Sequence, residues 1–178
     1  MLNIIITNKT RIKLLLKFFL NSDTTSYLRK LSSEFGDSTN SIRIELNRME
    51  TAGLLSSKRQ GNKKIYRANT LHPLFKDLNS ILRKIVGIDS IIEKVALKVG
   101  DLKAAYLTGN LARGIDSGTI ELILVGEDLD HSYITSLVKK AEKLVNRSIS
   151  FTIVSSATAP DQLKSTQQLL IWGNPKFK

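Results

Sequence analysis

A chain of 178 residues, 42% of them hydrophobic, is long enough for two compact modules of about 70 to 100 residues, and with no apolar run near the about 18 residues that a bilayer helix needs, a membrane-spanning role is excluded. The absence of cysteine excludes disulfides, thiolate metal sites and thiol catalysis; a reducing cytoplasm is expected, and the charges that interrupt the apolar opening stretch speak against a signal peptide. The net charge of +11 is unevenly placed, residues 1–70 holding 13 Lys+Arg against 5 Asp+Glu and residues 71–178 holding 14 against 11, so the front of the chain is the part expected to meet a polyanion.

In chain order, a short strand is expected over residues 3–7. Thr10 then caps a helix with Ile12, Leu15, Leu16, Phe19 and Leu20 on one face, spaced three and four apart. A second helix runs from about Ser26, with Tyr27, Leu28, Leu31 and Phe35 inward, and stops at Gly36. Asp37 or Ser38 caps a third, "STNSIRIELNRMETAG", whose inward residues are Ile42, Leu46 and Met49. Three helices in about 45 residues, with a short turn before the third, form a helix-turn-helix pattern. "LLSSKRQGNKKIYRAN" follows as two strands, near residues 54–58 and 64–68, joined by a Gln60-Gly61-Asn62 turn and flanked by Lys58, Arg59, Lys63 and Lys64.

The order of these elements resembles winged-helix transcriptional regulators of the ArsR and MarR type, a likeness carried mostly by "RIELNRMETAGLLSSKRQGNKKIYRAN". It implies double-stranded DNA as partner. Thr39, Asn40, Ser41, Arg43 and Asn47 on the third helix then face base edges, and Lys58, Arg59, Lys63 and Lys64 on the ribbon face phosphates. The plainer alternative is a solvated helix face and a charged loop. A linker helix after Pro73 carries a stripe of Leu74, Leu78, Ile81, Leu82 and Ile85 that needs a cover, and a homodimer is one way to supply it. His72 and His131 are expected to be structural rather than metal ligands.

Beyond residue 88 the pattern alternates: a helix over 88–99, strands over 103–108, 119–125 and 148–154, helices over 132–146 and 160–169, and a terminal strand around Trp172. The turn "TGNLARG" after the first of these strands resembles the Gly-Ser-x-Ala-Arg-Gly loop of minimal bacterial nucleotidyltransferases, matching at Gly109, Ala112, Arg113 and Gly114 and departing at Asn110, where the family has serine. The whole chain is also similar to bacterial proteins that join a winged helix to such a domain through an "HPLF"-like linker. Two domains are therefore expected, a winged helix-turn-helix over 1–70 and, after a linker over 71–87, a nucleotidyltransferase-like mixed sheet with flanking helices over 88–178, an α+β or α/β arrangement overall.

That resemblance implies an Asp-x-Asp pair on the next strand, both carboxylates on one face, and a third acid on the neighbouring strand, together holding magnesium. Here Thr119 and Glu121 stand at the pair, and residues 148–158 contain no acid. One acid of three implies a degenerate domain, no catalysis, and no cofactor, with Mg2+ only if transfer survives. Gly109, Asn110, Arg113, Gly114 and Glu121 remain as a possible nucleotide site, unless Arg113 simply pairs with Asp116 or Glu121. The expectation is a sequence-specific DNA-binding transcriptional regulator that is not an enzyme, its second domain serving dimerisation or ligand sensing. The alternative is a DNA-associated nucleotidyltransferase acting on a nucleic acid or protein.

Overall fold

The structure is a computed structural model that describes residues 6–89, 91, 99–164 and 166–174. The strand expected over 3–7 lies mostly outside the described residues, and Ile6 and Thr7 are not in a strand; most of the helix expected over 88–99 also lies outside them. The chain divides into two compact units, Met1–Ile85 and Val86–Lys178.

The first unit opens with helix α1, Lys9–Leu15, capped by the side chain of Asn8, which accepts from the backbone N-H of Arg11. Thr10, expected as the cap, is a helical residue inside the first turn; Asn8 and Thr10 both carry oxygens suited to a cap, and the chain turns at the earlier one. The helix widens into a π-helical turn over Leu16–Leu20, which buries all five of its residues, Phe18 and Phe19 completely. Lys17 is buried with them, and its ammonium lies 2.8 Å from the Glu34 carboxylate. Strand β1, Thr25–Tyr27, leads into α2, Leu28–Phe35, and α3, Thr39–Thr51, begins at Ser38, whose hydroxyl accepts from the N-H of Ser41. Ile42, Leu46 and Met49 of α3 are buried, as their spacing requires.

Strands β2, Leu55–Gln60, and β3, Lys63–Ala68, form an antiparallel ribbon, with Gln60 opposite Lys63 across the Gly61-Asn62 turn. Gly61 has φ +58°, a conformation that the first position of such a tight hairpin loop demands. The sheet order is β1-β3-β2, all antiparallel. Helix α4, Phe75–Val86, returns to this unit: Phe75 packs on Phe19 with ring centroids 5.7 Å apart, and the Asn79 side chain donates to the Phe19 carbonyl at 2.6 Å. Leu74, before the helix, and Ile81, on it, stay exposed.

The second unit is a four-stranded mixed sheet in the order β6-β5-β4-β7, with β4, Asp101–Thr108, β5, Thr119–Glu127, β6, Ser148–Val154, and β7, Leu169–Gly173. Only the β5–β6 pair is parallel, and helix α6, His131–Val145, makes that crossover. A single turn, α5, Gly109–Ala112, stands between β4 and β5, and α7, Ala159–Lys164, between β6 and β7. The core of the unit includes Tyr106, Val125, Val154 and Leu163. An α+β mixed-sheet arrangement follows from this order. No helix among the described residues is long and apolar enough to cross a membrane.

Candidate functional site

The turn between β4 and β5 is built by one close contact. Gly109 has φ +65°, and a Cβ at that position would stand 1.9 Å from the Glu121 carboxylate oxygen, so the acid lies directly against the Gly109 backbone. Antiparallel pairing explains the meeting, because Thr108 sits opposite Glu121 in the β4–β5 register, and the Thr108 hydroxyl donates to the Glu121 carbonyl at 3.3 Å. Leu111 and Ala112 bury the floor of the turn, while Asn110 and Arg113 are exposed and Gly114 closes the turn by donating to the Leu111 carbonyl at 2.9 Å.

Period-two geometry places Thr119 and Glu121 on one face of β5, and parallel pairing sets Ser148 and Ser150 of β6 beside them. Ser150 stands opposite Glu121, and β6 carries no acid. The face thus carries one acid among hydroxyls, and among the described residues no group of three or more His, Cys, Asp or Glu side chains is arranged to hold a metal ion.

Arg113 pairs with neither Asp116 nor Glu121. Asp116 is taken by Arg147, whose second guanidinium nitrogen donates at 2.8 Å, and it also accepts from the N-H of Gly118; the arginine holds its carboxyl below the usual range. Among the described residues neither Arg113 nor Glu121 enters an ion pair. A cation and a carboxylate are therefore both unengaged at the turn with Gly109 at its start. That Arg147 claims Asp116 is not legible from local pattern, since the two are 31 residues apart.

In the first unit the nine residues expected to face DNA are all exposed. They do not form one group. Arg43 and Asn47 of α3 and Lys63 and Lys64 of β3 line a cleft of about 410 Å³, joined by Tyr27, Arg29, Asn62 and Tyr66, whereas Thr39, Asn40, Ser41, Lys58 and Arg59 are not among its walls. Ser41 is engaged at the helix cap, its hydroxyl 2.9 Å from that of Ser38. Lys64 is held by Glu50 at 2.6 Å, which raises its pKa and lowers that of the acid. Lys63 instead lies over the Tyr27 ring, 4.5 Å from its centroid. Tyr27 and Arg29 were missed from sequence because they stand at the β1–α2 junction, where periodicity marks only an inward helix face.

No family profile matches the chain, and no curated protein does. Among solved structures, it is similar to a variant of the toxin-antitoxin MntA-HpeT, at 18% identity and a TM-score of 0.41 over 49% of this chain and 74% of that one. It is likewise similar to a toxin-antitoxin with AMP-PNP, at 18% identity and 0.41 over 49% and 74%, and to a candidate nucleotidyltransferase from Sulfolobus solfataricus, at 20% identity and 0.39 over 56% and 88%. Identities in this range speak to fold alone. None of the three is a transcriptional regulator by name, and on that finding the expectations of an ArsR- or MarR-type regulator, of a DNA-binding control function and of a chain that is not an enzyme are corrected.

Surface charge reports phosphate contact and does not distinguish an operator from a substrate strand. The three carboxylates that the resemblance implies are not a requirement of magnesium itself, which usually keeps several waters and is bound through one or two carboxylates plus the substrate's own phosphates.

Proposed function

We propose that this chain is a nucleotidyltransferase associated with nucleic acid, its second unit taking a nucleoside triphosphate at the turn that begins with Gly109. The observation that carries the reading is the pairing of Glu121 against Gly109 with Arg113 left without a carboxylate partner among the described residues. Gly109 and Asn110 are proposed to bring backbone and amide donors to the phosphates, with Gly114 closing the turn behind them, Arg113 to neutralise the phosphates, and Glu121 to bind Mg2+. The donor set fits a single ion that draws its remaining ligands from phosphates and water, and it does not fit a cage of three acids. Bound there, the ion would supply charge neutralisation at the phosphates.

In the proposed reaction an acceptor hydroxyl oxygen forms a bond to the α-phosphorus as the bond from that phosphorus to the bridging oxygen breaks. Pyrophosphate leaves with the electron pair of that bond, and the hydroxyl proton passes to solvent. The basic first unit supports nucleic acid as the acceptor's class. Its element order, three helices with a β1-β3-β2 sheet ending in a ribbon, supports a winged helix-turn-helix fold used to hold a strand.

The test is incubation of the full chain with Mg2+ and each α-labelled triphosphate, in the presence of nucleic acid or of protein acceptors. Label transfer that Glu121→Ala abolishes and Arg113→Gln reduces by about 10-fold or more is expected, since one charge-assisted phosphate contact is worth about 1.5 to 3 kcal/mol. Absence of both transfer and triphosphate binding across all four nucleotides would overturn the proposal.

A further inference from the structure

We infer that the cleft between α3 and the β2–β3 ribbon is a binding site for an unpaired nucleotide of a single-stranded nucleic acid, with Tyr27 as its stacking platform. Its volume of about 410 Å³ is in the range of ligand pockets. Four exposed cations line it: Lys64 of β3, which Glu50 holds, and three more, Arg29 of α2, Arg43 of α3 and Lys63 of β3. None of the three enters an ion pair among the described residues, while neighbouring basic residues do: Lys30 approaches Glu34, Arg48 pairs with Glu45, and Lys64 with Glu50. Cations left unneutralised around a concave surface select an anionic ligand.

The aromatic wall narrows the class. Tyr27 is half-buried and its ring is covered by the Lys63 ammonium, 4.5 Å from the centroid. An exposed ammonium over a tyrosine is a weak contact, and a base stacked on the same ring is a stronger one. Exchange is therefore favourable when a nucleotide arrives: the base takes the ring face and Lys63 swings to the phosphate. A base inside a duplex offers proteins only its edges, so the face of Tyr27 is usable only by an unpaired base. Asn47 and Asn62, on opposite walls, supply donors and acceptors for the base edge. As acceptor for the transfer proposed above, the strand rests on that reading; as a ligand it does not, and the experiment contains no triphosphate.

Fluorescence anisotropy of the full chain with labelled oligothymidylate and oligouridylate strands, and with a labelled duplex of equal length, provides the test. The single strands are expected to bind at least about 10-fold tighter than the duplex. Tyr27→Phe retains binding, Tyr27→Leu weakens it by about 5- to 150-fold, the range that loss of one base stack implies, and Arg29→Gln and Arg43→Gln each weaken it. Duplex bound as tightly as the strands, or a folded Tyr27→Leu variant that binds like the parent, overturns the inference. Should circular dichroism show Tyr27→Leu unfolded, the strand-to-duplex ratio of the parent and the loss in Arg29→Gln decide the matter alone. Transfer activity without strand preference would sink this inference while sparing the proposed function, and strand preference without transfer would do the reverse.

Discussion

At Gly109 two demands coincide on one atom. The positive φ of +65° costs a residue with a Cβ about 1 to 2 kcal/mol, and the same Cβ would meet the Glu121 carboxylate. These demands separate by experiment because the carboxylate is the far end of a flexible side chain and can move, whereas the backbone angle cannot. Gly109→Ala is expected to lower stability by about 1 to 2 kcal/mol and to remove triphosphate binding, since Glu121 is displaced from the turn. In the Glu121→Ala background the stability loss from Gly109→Ala should persist almost unchanged, as thermal melts of the four proteins would show; recovery of more than half would mean that collision, and not the dihedral angle, governs the site. The turn was legible in the sequence as a strand, a glycine-flanked turn and a second strand, and Glu121 through the resemblance of "TGNLARG" to the nucleotidyltransferase loop. What was hidden is that Asp116 serves Arg147 and leaves Arg113 without a carboxylate partner among the described residues, a choice made by tertiary distance alone.

Helix α3 is held in the first unit by a polar anchor on its inner face. Glu45 is 2% exposed, and its carboxylate accepts from the Arg11 side chain at 2.7 Å, from Arg48 at 2.9 Å and from the Asn8 amide at 3.3 Å. The Arg11 hydrogen bond holds the Glu45 carboxyl below its usual range. A folded-state pKa below the unfolded one gives stability that is complete above the ordinary carboxylate range, near 4.3, and is lost as pH falls through the lowered value. Glu45→Gln is therefore expected to cost about 1 to 3 kcal/mol at pH 7 and to flatten the fall of melting temperature below pH 4.5. Parallel acid slopes in the two proteins would show that the carboxylate is not the group being titrated. Apolar spacing does not mark the position as interior, and only the 34-residue return of Arg11 makes it so. The ribbon was legible because its Gly61-Asn62 turn is local, whereas β1, three residues long, pairs with β3 some forty residues onward and leaves no periodic trace. The π-helical turn reads as helix because its extra residue disturbs the three-and-four spacing of Leu15, Leu16, Phe19 and Leu20 too little to notice.

Over the whole molecule the charge is divided as the two proposed tasks require. Of the net +11, residues 1–70 hold 13 Lys+Arg against 5 Asp+Glu, and these cations include Arg29, Arg43 and Lys63 at the cleft and Lys58 and Arg59 on the ribbon, while the second unit is close to balance. Binding of a strand releases counterions in proportion to the phosphates that the protein neutralises, with a slope of log K against log salt of about −0.7 for each phosphate on single strands. Three cleft cations imply a slope near −2, and two more ribbon cations, if the strand continues along them, imply a slope nearer −3.5. Lys63→Gln should make the slope shallower by about 0.7, because that ammonium exchanges its ring contact for a phosphate. Lys103→Gln is the matched control: Lys103 lies in the second unit with its charge committed to Asp101 at 2.7 Å, and its removal should leave the slope where it was. Anisotropy titrations at four or more salt concentrations would distinguish the outcomes. Equal slopes in Lys63→Gln and the parent would place the contact elsewhere, whereas a change in Lys103→Gln as large as that in Lys63→Gln would mean that strands respond to overall charge and not to the first unit.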